Sequence, residues 1–273
     1  MRLIISAILV IASISFSQNK KEWFPENLNI QPFTANFLEP KAGALFALNE
    51  NKIRLDIGRS QDILQIKFED LTLSAGVDLF TYTRLRSAEN FKFPVETIDY
   101  LFGINTGYKK LLYGNEFGFR FRFSHISAHL VDGQYDEQNS EWRDGRNPFV
   151  FSKEFVELFP YFSTKGFRIY AGLTYILHKI PVDIKRGIYQ IGFDYNILPF
   201  SSDLLTPFIA YDFKVNGINS YVGNNTFTAG LKFGGWNKKG IRVHFTYISG
   251  YSVHGEYYDL RENYANIGFN LDL

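Results

Sequence analysis

The sequence predicts an all-β chain: an antiparallel up-and-down transmembrane β-barrel of about twelve strands, with ten as the other count the pattern allows. Three observations predict it. There is an amino-terminal export signal, a period of two in hydrophobicity over most of residues 42–273, and a rhythm of connections that alternate short and long. The composition agrees, because 28 Phe and 17 Tyr stand against a single Met, and aromatic chains poor in helix formers favour strands. Lys plus Arg number 29 and Asp plus Glu 28, so no field of one sign covers the molecule and no nucleic-acid partner is expected. With no Cys, disulfides, thiolate metal sites and an acylated lipoprotein anchor are excluded.

In chain order, residues 1–17 place one Arg before an apolar run that ends in small residues, which is a secretory signal peptide cut after Ser17. The run from Leu3 to Phe16 is too short for a membrane span. Residues 18–41 are polar, with Trp23–Phe24 and with Pro25, Pro32 and Pro40, and predict an extended periplasmic leader. Residues 42–273 then form the barrel. Its first part is the least regular, with only short runs at Lys52–Gly58 and Ile63–Phe68. Alternation strengthens near 71–82 and 98–108 and is strict in Phe117-Gly-Phe-Arg-Phe-Arg-Phe123. It returns near 167–177, 188–197, 207–215, 226–234 and 241–247, and in the last strand, which ends at Leu273. Each run is about ten residues long, which is what a tilted membrane-spanning strand requires.

Strict alternation gives a sheet with one apolar and one polar face. In a membrane barrel Phe and Leu face lipid, and Arg120, Arg122, Arg168, Lys232 and Arg242 face inward, where they can meet Asp78, Asp99, Asp194, Asp212 and Asp272. The connections 109–115, 163–166, 198–205 and 236–239 are the shorter ones, and 84–97, 130–149, 178–187, 215–224 and 250–262 are longer and polar. Short periplasmic turns and long outer loops place the chain in the cell outer membrane, with both ends in the periplasm. Outer-membrane lipids and, during insertion, the barrel assembly machinery are the expected partners. Trp23, Trp142 and Trp236 fit interfacial or loop positions.

Phosphate loops, dinucleotide fingerprints and the familiar hydrolase and metalloprotease motifs are absent, and no cofactor is expected. One constellation carries chemistry: Ser124-His-Ile-Ser-Ala-His-Leu-Val-Asp132, at the strand end that leads into the longest loop. His125 and Ser127 lie at i and i+2, on one face, and they continue the lipid-facing phase of Phe117–Phe123. A serine hydrolase needs a hydroxyl, a base within reach and a group that orients the base. Ser127 would be the nucleophile, His125 the base, and Glu154 on the next strand, or Asp132, the orienting group. The alternative is that polar residues simply resume at a barrel rim, in a non-catalytic envelope barrel or small passive pore. His129, Asp132, His178 and His254 are weak candidates for a metal site, scattered over three loops. His244 has the inward phase.

The His-x-Ser pair on a barrel strand resembles outer-membrane phospholipase A and the outer-membrane lipid A deacylases. In those families Asn usually follows the serine; here it is Ala128. A second resemblance covers nearly the whole mature chain in order. It runs through Trp23-Phe-Pro-Glu, Glu39-Pro-Lys, His125-x-Ser-x-His-Leu-x-Asp132, Ser152-Lys-Glu154, Ile169-Tyr-Ala-Gly with Leu177-His178, Asp212-Phe-Lys, and Gly250-Tyr-Ser with Gly255. Together these are similar to the bacterial family filed as domain of unknown function 1207, with departures at Ala128 and Val131, where Ser and Gly are expected. That resemblance implies a secreted barrel-like protein, names no reaction, and suggests that the rim residues belong to one shared site.

Overall fold

The structure, a computed structural model, describes residues 19–202, 204–235 and 238–272. The signal peptide expected over 1–17, together with Trp236 and Leu273, lies outside the described residues. The strands are β1 (Lys20–Trp23), β2 (Ala42–Ala47), β3 (Lys52–Lys67), β4 (Leu71–Arg86), β5 (Val95–Leu112), β6 (Asn115–Leu130), β7 (Tyr135–Asp136), β8 (Glu141–Trp142), β9 (Phe151–Thr164), β10 (Phe167–Ile180), β11 (Gly187–Asn196), β12 (Leu205–Ile218), β13 (Ser220–Phe233), β14 (Gly240–Tyr251) and β15 (Arg261–Asp272).

Twelve of them, all except β1, β7 and β8, form one antiparallel up-and-down barrel, closed where β15 pairs with β2. Closure removes the sheet edges except beside the short β2, which pairs with only Ile53–Asp56 of β3. Strands β7 and β8 make a small hairpin inside the connection between β6 and β9. The two runs of ambiguous pattern at 52–68 are one sixteen-residue strand, β3. Its lower half reads poorly because Asp62 and Gln65 turn inward to hold the leader, and its free edge there is covered by β1.

Outward positions are apolar and exposed: Phe117, Phe119, Phe121 and Phe123 on β6, Leu173 and Tyr175 on β10, Val243 and Phe245 on β14. Two of the tight connections are Tyr113–Gly114 and Lys165–Gly166, each with both residues at positive φ, the backbone that a two-residue hairpin turn needs. One expected long loop is not a loop. At 215–224 the chain turns on Asn219 alone, and Ile218 pairs with Ser220 across it. The polar residues there are the ends of two long strands.

The interior is filled in two ways. Charges are neutralised, as Arg168 takes Asp194, Arg122 takes Glu157, and Lys232 and Arg242 share Asp272. Other partners differ from the set the sequence suggested: Asp78 accepts from Ser60, Asp99 holds His254, and Asp212 accepts from Tyr170 and Gln190. The second filling is the chain's own start. The segment expected as an extended periplasmic leader runs through the lumen after β1. Arg120 clamps Glu39 through two nitrogens, one bond 2.8 Å long, and Arg168 donates to the carbonyls of Gln31 and Pro32. Phe33 is fully buried, its ring 4.1 Å from Tyr170 and 5.4 Å from Phe159 between centroids.

Candidate functional site

Strands β5, β6, β9 and β10 stand side by side, and their long-loop ends carry the site on the outer wall. The ladder between β6 and β9 is unbroken, so register fixes the neighbours. His125 sits opposite Glu154, and Ser127 sits opposite Ser152. On the other side of β6, Phe102 pairs with His125 and Tyr100 with Ser127. On the far side of β9, His178 pairs with Glu154. One row across the wall therefore reads Phe102, His125, Glu154, His178, and the row nearer the loops reads Tyr100, Ser127, Ser152, Ile180.

Side chains in the first row are in contact. His125 Nδ1 is 2.6 Å from Glu154 Oε1, and His178 Nδ1 is 2.6 Å from Glu154 Oε2. One carboxylate thus serves two imidazoles. Engaging Nδ1 leaves Nε2 of His125 as the nitrogen available to a hydroxyl proton. The Phe102 ring stacks on His125 at 4.9 Å between centroids and limits how far the imidazole can turn. Ser152 donates to Glu154 at 3.4 Å, a long bond. Among the described hydrogen bonds none joins Ser127 to His125. The two share the face and lie two residues apart, a spacing of about 6.5 Å along a strand.

The outward phase that the sequence assigned to His125 and Ser127 is the one they have, since Ser124, Ile126 and Ala128 between them are buried in the interior. His129 lies farther along the same face, with its ring 6.1 Å from Tyr100. Asp132 is in the loop beyond β6 and takes no part in the row. His254 is not near the others. It is buried inside the barrel mouth, with Nδ1 2.8 Å from Asp99 Oδ2, on the opposite side of the wall from His178. The weak metal set therefore does not assemble, and no metal-holding group of His, Asp and Glu occurs among the described residues. His244 faces inward and contacts Thr246.

The sequence did not reveal that His178 shares Glu154. By parity along β10, with Tyr170, Thr174 and Ile176 buried inside, residue 178 would also point inward. A register shift between Ile176 and His178 inserts one residue, Leu177, and turns His178 outward.

The family model described as "Protein of unknown function (DUF1207)" matches residues 96–272, which is most of the chain and includes every residue of the site. The chain belongs to this family. No curated protein matches the sequence of this DUF1207 member. Among solved structures, outer membrane phospholipase A from Escherichia coli is similar in fold, with a TM-score of 0.54 at 12% identity over 89% of this chain and 93% of that one. The toluene transporter TodX of Pseudomonas putida gives a TM-score of 0.40 at 12% identity, over 81% and 68% of the two chains. OmpT of Vibrio cholerae gives 0.38 at 8% identity, over 85% and 94%. The likeness to the phospholipase is one of fold, an outer-membrane type of barrel.

Proposed function

We propose that the protein is an outer-membrane acyl-ester hydrolase that takes its lipid substrate from the outer leaflet. The single observation that carries this reading is the 2.6 Å contact between Glu154 and His125 Nδ1 on the lipid-facing wall, with Ser127 on the same face of the same strand. Buried polarity has many structural uses, but an outward-facing His–Glu pair beside a serine, above a belt of Phe, has little structural purpose.

The steps follow from triad chemistry. Substrate binding brings the Ser127 hydroxyl and His125 Nε2 together. His125 takes the hydroxyl proton as Ser127 Oγ attacks the ester carbonyl, and Glu154 steadies the imidazolium. The ester C–O bond breaks, and the leaving alcohol takes the proton from His125. Water, deprotonated by His125, then cleaves the acyl-serine to free fatty acid and restores the enzyme. The alternative of a small passive pore has less support, because the leader occupies the lumen.

The test is release of fatty acid from phospholipid or lipopolysaccharide by the detergent-folded protein. Ser127→Ala and His125→Gln are expected to reduce it to background while heat-modifiable migration is retained. Equal release by wild type and both variants would overturn the reading.

A further inference from the structure

The reverse face of the same strands lines a cavity. It occupies the long-loop half of the lumen, about 810 Å³ including the part open to solvent. Phe37 and Leu38 of the leader floor it, and Ile126, Phe151, Ile188 and Ile248 wall it. Two lysines, Lys153 and Lys214, also line it. The lining is mixed: beside the apolar side chains stand Thr174, Thr226, Asn216, Asn224 and Asn225, so an apolar patch adjoins a polar one.

The charges in this cup are unbalanced. Of its two carboxylates, Glu157 is offset by Arg122, whereas Asp212 meets only the neutral donors Tyr170 and Gln190, so two lysines face one uncommitted acid and the cup keeps an excess of one positive charge. No carboxylate among the described residues lies within ion-pair distance of Lys153 or Lys214. Lys153 instead lies over the Phe151 ring at 4.9 Å, and Lys214 donates to the Asn36 amide oxygen at 3.2 Å. By contrast, the lumen arginines Arg54, Arg120, Arg122 and Arg168 each hold an acid. Two ammonium groups beside the apolar patch of Ile126, Ile188 and Ile248, in a cup that the leader closes beneath, form a receptor for an anion with a short apolar tail.

We propose that this cup binds a small amphiphilic carboxylate from the outer side, with its carboxylate at Lys153 and Lys214 and its alkyl part against Ile126, Ile188 and Ile248. The site lies inside the barrel and is independent of the outer-wall chemistry.

Isothermal titration of hexanoate into the full detergent-folded protein tests it. Saturable binding of hexanoate and none of hexylammonium is expected, because the cup discriminates by charge. The double variant Lys153→Gln/Lys214→Gln should lose at least about tenfold in affinity, whereas Lys92→Gln, in an exposed loop, and Ser127→Ala should bind as wild type. If the double variant does not fold, Ile126→Trp, which fills the cup, should abolish binding in its place. The proposal is overturned if hexylammonium binds equally, if the lysine or Trp variant binds as wild type, or if no saturable heat appears below about 10 mM, the weakest affinity worth calling a site. Loss of binding in Ser127→Ala would move the ligand to the outer wall and also overturn it.

Discussion

Glu154 is the residue on which the outer-wall site turns, and its two histidines show what a sequence can and cannot reveal. His125, Ser127 and Glu154 could be placed by parity, because β6 and β9 keep an unbroken alternation and Phe117–Phe123 labels the lipid face. His178 could not, since a single inserted residue, Leu177, reverses the phase of everything after it. The side-chain exposures differ too: 28% for His125 and 60% for His178, so the first is sheltered by Phe102 and the second is open. The sheltered imidazole is the one on the strand of Ser127, and the open one shares the same carboxylate from the far side of β9. Glu154→Gln is therefore expected to lower fatty-acid release about 10²- to 10⁴-fold, as loss of an orienting acid does in a triad. His178→Gln should change it by less than about tenfold, since it leaves the His125–Glu154 contact in place. Initial-rate measurements on the two variants decide the roles, and a larger loss in His178→Gln would reassign the base.

At the scale of elements, the loop after β14 carries the most unexpected chemistry. Residues 252–260 fold into the barrel mouth, and Asp99 accepts from the Gly255 backbone at 2.7 Å while contacting His254. Gly255 is required there, since a Cβ would come within 2.3 Å of the Phe151 ring. The adjoining Glu256 is fully buried. Burial pushes its carboxyl up to about 7, and the nearby Asp99 carboxylate acts in the same direction. The unfolded or undocked loop would titrate near the ordinary value of 4.5, so the docked loop favours the protonated acid. Its contribution to docking is present at low pH and is lost as pH rises from about 4.5 through about 7. Hydrogen exchange, corrected for intrinsic rate, should show protection over 252–260 falling between about pH 5 and about pH 8 in wild type. In Glu256→Gln protection should stay flat, and an unchanged pH dependence in that variant would exclude Glu256 as its cause. Sequence composition misled at a neighbouring element. Lys214–Asn224 has the Gly and Asn content of a loop, yet Asn224 Nδ2 donates to the Lys214 carbonyl across two paired strands that extend into the mouth.

For the whole molecule, the twelve-strand closure was readable because outward Phe and Leu recur every second residue, and the loop rhythm holds at 87–94, 131–150 and 252–260 but fails at 215–224 and at 181–186, which is shorter than the opposite-side connection 197–204. The path of the leader was not readable. Nothing in residues 24–41 has a period, and their partners are as remote as Arg120, Arg168 and Asp194. What holds the leader is the chemistry of the barrel wall: Thr34 donates to Asp194 at 3.0 Å, Asn29 donates to Asp62 at 2.7 Å, and Arg54 and Arg122 reach the carbonyls of Phe37 and Leu38. Phe33 and Glu39 are its two deepest anchors. Truncating a buried Phe costs about 3–5 kcal/mol. Removing the acid of a buried ion pair costs a similar amount, about 3–5 kcal/mol, because Arg120 is left without a counter-charge. Wild-type protein in planar bilayers should therefore show no stable stepwise current. Phe33→Ala/Glu39→Gln removes both anchors while leaving the twelve-strand ladder intact, so the leader should leave its place in the lumen and open a conductance. That current should fall again when Arg120→Gln is added, since the uncompensated cation that draws anions through the freed lumen is then gone. Large stable currents from the wild type, or a double variant as silent as the wild type, would show that the leader is not what closes the barrel.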